Sequence, residues 1–204
     1  ILAVTYLNHN ESSFTLATMG ITVTVPPVVF AVLTVILVWT SINVTNCADG
    51  VDGLSGTLVL VTLTTIYVIN GILGKGSDLQ YLILLFGICI LGYLWYNATP
   101  SRLLMGDAGS RAMGIFISIA ILKTGSPFLY IPAAIVLILD GGLGLVKVAL
   151  LRFLKIGILK HTRTPLHDHV RKVMGWSNTQ TVFRFAIIQI VVSAATVYLL
   201  LMRK

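Results

Sequence analysis

The chain has 204 residues, 56% hydrophobic and only 10% charged, with a formal net charge of +7 and a mean hydropathy of +0.95. A soluble domain carries about 25% charged residues, so this composition excludes a solvated globular surface and predicts a membrane protein with several spans. The positive charge does not indicate nucleic acid, because no basic run interleaved with aromatics accompanies it; membrane topology accounts for it better.

Taken in order, residues 1–7 (ILAVTYL) read as the end of an earlier apolar helix, and with Ile1 first the chain is expected to be the C-terminal part of a longer protein. Residues 8–25 are polar and then alternate Thr and Val around Gly20, a pattern for a short extracytoplasmic hairpin or an extended loop. Pro26-Pro27 opens the next helix. Spans are expected at about 27–42, 54–73, 79–96, 112–122, 128–151 and 185–202, with a basic cytoplasmic loop over 152–184. The fourth is short, and Arg111 and Lys123 must snorkel from it. Asp140-Gly141-Gly142 predicts a kink or break within the fifth, with Lys147 or a cation as partner for the acid. The expected fold is therefore all-α, a single polytopic transmembrane helix bundle over 1–204 with about six spans and a small hairpin. Cys47 and Cys89 read as packing residues rather than a disulfide framework.

Counting crossings gives the central expectation. From Asp49 to Asp107 the chain crosses twice, and from Asp107 to His167 twice more, so all three share one side. Arg102, Arg111, Lys147, Arg152, Lys155, Lys160, Arg163, Arg171, Lys172 and Arg184 fall on or near that side, against Lys75, Lys123, Arg203 and Lys204 opposite. By the positive-inside rule the shared side is cytoplasmic.

Three polar clusters converge there. Asn43, Asn46, Asp49 and Asp52 stand three apart, which puts neighbours in the series on one helix face, with Gly50 and Gly53 allowing close backbone approach. Gly106-Asp107-x-Gly109-Ser110 before a helix offers free N–H groups for phosphate, or Asp107 as a ligand for Mg²⁺ beside substrate phosphates. For both clusters a plain helix cap is the alternative. His167-Asp168-His169, followed by Arg171-Lys172, lacks the further His or Cys that a four-ligand zinc site needs. With His161 it suits a phosphorylated substrate, or else a basic patch on anionic lipid. Carboxylates, a glycine turn and cations on one face together point to Mg²⁺-assisted phosphoryl transfer at a membrane surface.

In this order the motifs Asn43-x-x-Asn46-x-x-Asp49-Gly50-x-Asp52-Gly53-Leu54, Met105-Gly106-Asp107-x-Gly109-Ser110 and Thr164-Pro165-Leu166-His167-x-His169 resemble the polyprenyl-phosphate N-acetylhexosamine-1-phosphate transferases. Gly175-Trp176-Ser177-x-x-Gln180-x-Val182-x-Arg184-Phe185 is similar to the bacterial branch that moves phospho-MurNAc-pentapeptide from UDP-MurNAc-pentapeptide to undecaprenyl phosphate, giving lipid I and UMP. The resemblance implies a ten-span enzyme of the bacterial inner membrane with its active site on the cytoplasmic face, Mg²⁺ as cofactor, a homodimer, and sensitivity to nucleoside inhibitors. It implies Asp107 as the Mg²⁺ ligand, and Asn46, Asp49, Gly50 and Asp52 as the loop serving the nucleoside and catalysis. It further implies Asn97 as a residue of the same cleft, and His167 and His169 near the substrate phosphates or sugar. Asp49, Asp107 and His167 are its catalytic candidates. Asp168 stands where the family has a middle histidine, Val170-Arg171-Lys172 where it has an acidic end, and Leu104 where an aromatic precedes the metal aspartate. The family's paired-aspartate motif has no counterpart here, so this stretch alone is expected to be inactive. Two other readings are a sibling transferase using UDP-GlcNAc and, from a different class, a cation transporter, which requires Asp49, Asp107 and Asp140 along one transmembrane path.

Overall fold

Proline at helix entries and glycine at turns set the main boundaries of the fold. The computed structural model describes residues 12–159 and 161–203; the expected helix tail at 1–7, the first residues of the hairpin, Lys160 and Lys204 lie outside the described residues. Strands β1 (Ser13–Leu16) and β2 (Ile21–Thr24) pair antiparallel, with Ser13 opposite Thr24 and Leu16 opposite Ile21, and Gly20 takes φ 64° in their turn. Pro27 then starts α1 (Pro27–Ala48) at a position where a missing N–H costs nothing. Gly53 in the left-handed conformation opens α2 (Leu54–Leu73), and left-handed Gly74 closes it. There follow α3 (Ser77–Asn97), α4 (Gly106–Lys123), α5 (Pro127–Ala133), α6 (Ile135–Leu154), α7 (Leu166–Lys172) and α8 (Asn178–Leu201).

Helix α2 is the axis of the bundle. Its Leu54, Leu58, Leu63, Ile66 and Ile69 are wholly buried and it packs against α1, α3, α4 and α8. The outer faces of α1, α3 and α8 stay apolar and exposed, as at Val28, Val32 and Val35, at Leu84 and Ile88, and at Ile187 and Val191. That is the pattern of helices whose solvent is hydrocarbon. Close approach of α1 to its neighbours rests on small residues. A Cβ on Gly114 of α4 would lie 2.6 Å from Ile42 Cα and from Ser41 O, and one on Gly141 of α6 would lie 2.7 Å from Val44 O. Ser41 Oγ donates to Gly114 O at 2.7 Å, tying the first crossing.

The expected boundaries hold for α2 and nearly for α3, and shift elsewhere. Helix α1 continues six residues past 42, so Asn43 and Asn46 belong to its last turns. The stretch expected as a loop contains α7, and α8 starts at Asn178 rather than near 185 behind a Ser177/Gln180 capping box. The expected break in the fifth span sits at Ala134, not at the glycine pair: α5 and α6 meet at 75°. Gln189 of α8, fully buried, takes up the freed backbone there. Its Oε1 accepts from Val136 N at 3.0 Å, and its Nε2 donates to Pro132 O and Ala133 O at 3.0 Å. Asp140 instead lies in a π-helical turn, Ile138–Gly142.

Four helices among the described residues, α1, α2, α3 and α8, are long and apolar enough to cross a membrane, and the bent pair α5–α6 makes a fifth. Helix α4, with three charged residues in its 18, falls outside that count, so the expectation of about six spans is met by length and composition in five. Yet α4 runs the whole bundle. It starts beside Asn46 at the α1–α2 corner, and just past its end Gly125 O accepts from Thr15 N of the hairpin at 2.9 Å.

Candidate active site

The α1–α2 corner is built by the chain stopping one helix and restarting another within five residues. Asp49 N donates to Asn46 O at 3.2 Å as α1 ends. Only one part of the three-apart series keeps its common face. Asn46 Nδ2 reaches Asp107 Oδ1 at 3.2 Å and Ser110 Oγ at 2.9 Å, on the first turn of α4. Asn43 turns back to Trp39 O within α1. Asp52, beyond the helix end, accepts from Ser101 N at 3.3 Å.

Two carboxylates at this corner lie close enough to interact electrostatically. Asp49 Oδ1 accepts a 2.5 Å bond from Ser55 Oγ in the first turn of α2. Burial raises the Asp49 carboxyl above the usual aspartate range, the Ser55 bond opposes that rise, and the negative charge of Asp107 adds to it. Asp107 is exposed and ion-paired through Oδ2 to Arg111 Nη2 at 2.9 Å, one turn along α4. Left-handed Gly106 (φ 68°) precedes it and lets the loop turn sharply into the helix.

Asn97 is buried, and its amide is fully engaged. Oδ1 accepts from Gly53 N at 2.8 Å, while Nδ2 donates to Ser101 Oγ at 3.0 Å and Leu103 O at 2.7 Å. It clamps the 49–53 turn to the 101–103 loop, which presents Leu104 to solvent.

His167 arrives from α7. Its ring lies over Gly50 so closely that a Cβ there would stand 2.5 Å from Nε2. The glycine the sequence marks for close approach thus admits a histidine ring. Behind the ring, Asp140 accepts from His167 N at 2.7 Å and meets Nδ1 at 2.8 Å, both side chains being buried. Asp140 therefore pairs with His167 and not with Lys147, whose ammonium donates to Leu159 O and Thr162 O at 3.0 and 2.9 Å. His169 is half-buried and accepts at Nδ1 from Arg163 N at 3.3 Å. Asp168 is held by Lys172 at 2.6 Å, which keeps its carboxyl below the usual range. Sequence reasoning missed Ser55 as the partner of Asp49 and misassigned the partner of Asp140. A serine in the first turn after an aspartate corner was the available signal for the former.

The structure thus gathers Asn46, Asp49, Gly50, Asp107 and His167 at one end of the bundle. Asp52 and Asn97 lie one layer behind in the loop scaffold, and His169 flanks the site. No group of three or more His, Cys, Asp or Glu among the described residues could cage a metal. Two carboxylates close enough to interact, Asp49 raised chiefly by burial and further by the charge of Asp107, instead suit a hydrated divalent ion shared with substrate phosphates.

Residues 1–125 match the model of glycosyl transferase family 4. The chain is 45% identical to the phospho-N-acetylmuramoyl-pentapeptide-transferase of Treponema pallidum over 81% of its own length and 50% of the relative's. Proteins of the same name from Rubrobacter xylanophilus and Neisseria gonorrhoeae are 34% and 31% identical, covering 81% and 79% of this chain. The chain spans about half the length of these relatives. The motif resemblance and the comparisons agree: the chain belongs to glycosyl transferase family 4.

Proposed function

We propose that this chain supplies the cytoplasmic-face site of a bacterial inner-membrane enzyme that transfers phospho-MurNAc-pentapeptide from UDP-MurNAc-pentapeptide to undecaprenyl phosphate. In the net reaction a lipid-phosphate oxygen bonds to the sugar-bearing phosphorus, the bond to UMP breaks, and lipid I results. The observation that carries the reading is the meeting of Asp49 and Asp107 across Asn46, with His167 on Gly50, at one end of an apolar bundle. The relatives' shared name supports the choice of substrates.

Asp107 would hold a Mg²⁺, which would supply charge neutralisation on the diphosphate. The chain's own residues do the rest. Asn46 fixes the angle of the Asp107 carboxylate through Oδ1, and Ser110 shares that contact. Arg111 brings a cation next to the same carboxylate, where a phosphate oxygen also gains from it. Asp49 and Asp52 present the loop that takes the nucleoside side of the substrate, and Asn97 holds that loop in register. His167 faces the loop with Nε2 as a site for a proton or a phosphate oxygen.

The test is UMP release by the intact protein given UDP-MurNAc-pentapeptide, undecaprenyl phosphate and Mg²⁺. Asp107→Asn should reduce turnover by about 100-fold or more, and UDP-GlcNAc should release no UMP. Full activity of the Asp107 variant, or UMP from UDP-GlcNAc alone, sinks the assignment.

A further inference from the structure

We infer that Asp140 is a positioning residue for the active-site histidine: a buried carboxylate in a π-turn of α6 that sets which nitrogen of His167 carries the proton and aims the other at the Gly50 loop. The inference rests on the functional reading of His167 above, but its structural half stands apart from it.

The π-turn Ile138–Gly142 is a departure from α-helix that re-aims a side chain. Its direction is fixed from the opposite side, because Gly141 lies against the backbone of α1 with no room for a Cβ. An unpaired carboxylate at this depth would be strongly disfavoured, and both Asp140 oxygens are used by one residue. Oδ1 takes the backbone N–H of His167 at 2.7 Å and Oδ2 faces Nδ1 at 2.8 Å. A carboxylate has no proton to give, so Nδ1 must carry the hydrogen of that bond. Nε2 is thereby left to face Gly50. One acid thus anchors the start of α7 and orients the ring that the helix delivers.

Asp140→Asn discriminates this role sharply. The His167 backbone N–H can donate only to the amide oxygen of the new side chain and not to its NH₂, so the amide NH₂ is turned onto Nδ1. That nitrogen must then become an acceptor, and the proton moves to Nε2. The volume and the α7 anchor are retained. In the intact protein, ¹⁵N spectra of the labelled histidines should show His167 Nδ1 protonated in wild type and unprotonated in the Asp140→Asn variant. Turnover should fall by about 100-fold or more, as expected of a histidine held in the wrong tautomer, with the KM for the nucleotide sugar changed less than about threefold. On a His167→Gln background the Asp140→Asn change should cause no further loss, since it acts through the histidine. A protonated Nδ1 in the variant overturns the inference whether or not the protein is a transferase. So does an Asp140→Asn loss that is equal in the His167→Gln background, which would mark a merely structural acid. If wild type releases no UMP while the tautomer switches, the positioning role stands and the reading of the reaction falls.

Discussion

At the scale of single residues, Asp49 carries the clearest electrostatic signature of the site. Half-burial raises its carboxyl, the Ser55 hydroxyl works against the rise, and Asp107 reinforces it. The sign of each influence can be tested separately. In Asp107→Asn a negative neighbour disappears, so the Asp49 titration should move down, yet stay above the ordinary range because burial is the larger cause. In Ser55→Ala it should move up. Carboxyl-¹³C spectra of aspartate-labelled protein in detergent read both shifts; an Asp49 midpoint unmoved or raised in Asp107→Asn would mean that the carboxylates do not lie close enough to interact. The linkage has a fixed direction too. A folded-state value raised above the unfolded one means stability falls as pH climbs through the interval between them, so Asp49→Asn should relieve a cost that is present above that window. Asp168 is the opposite case. Its lowered carboxyl adds stability at neutral pH that is lost as pH falls through its folded-state value. Much of this chemistry was legible: Asn46, Asp49, Asp107 and His167 stand out as polar residues flanking apolar runs. The Asp140–His167 pair was not, because residues 27 apart meet only through the packing of α6 under α7.

At the scale of elements, glycine decides where helices touch. Helices α2 and α3 were legible nearly to the residue because left-handed glycines bound the turn between them. The α5–α6 bend was not legible as a break at Ala134. Pro132 is its local trace, but what stabilises it is Gln189, more than fifty residues away on α8. The α1–α4 crossing is likewise non-local, resting on Gly114 against Ser41 and Ile42. A side chain at Gly114 meets the backbone of Ser41 and Ile42, which cannot yield as a flexible side chain can. Gly114→Val should therefore cost about 1–3 kcal/mol by overpacking and lower the thermal unfolding midpoint in detergent by several degrees. Gly92→Ala, where a Cβ meets nothing within 4 Å, is the control and should shift it by no more than about 2 °C. Equal midpoints for the two variants would mean that α1 and α4 do not approach as closely as the structure has them.

At the scale of the whole molecule, the bundle has two chemically different ends. The site end collects Arg102, Arg111, Arg152, Lys155, Arg163, Arg171 and Lys172, while Lys75, Lys123 and Arg203 mark the other. There Arg203 reaches the hairpin at Thr18 O, and Lys75 comes up against Gly125. The crossing count drawn from the sequence depended on α4 being a true traverse, and this is the weakest helix by composition. At 18 residues it is about 27 Å long, close to a hydrocarbon core of about 30 Å, and Arg111 and Lys123 are placed to reach the two interfaces. The bend of α5–α6 does not interrupt the scheme, since Phe128 packs at a tilt against Phe14 of the hairpin at one end and α6 carries Asp140 toward His167 at the other. The arrangement also weighs against a transport path: Asp49 and Asp107 share one end, and Asp140 is occupied by His167. The charge imbalance supports the proposed sidedness, with the site end in the cytoplasm by the positive-inside rule. With Cys47 and Cys89 replaced, a cysteine at Leu104 should react with a membrane-impermeant thiol reagent only from the cytoplasmic side, and one at Lys123 only from outside. Both positions are exposed, so failure to label cannot be blamed on burial in the bundle. Labelling of both from one side would mean that α4 is re-entrant and the two-ended architecture wrong; labelling from exchanged sides would place the site outside, where a cytoplasmic nucleotide sugar cannot reach it.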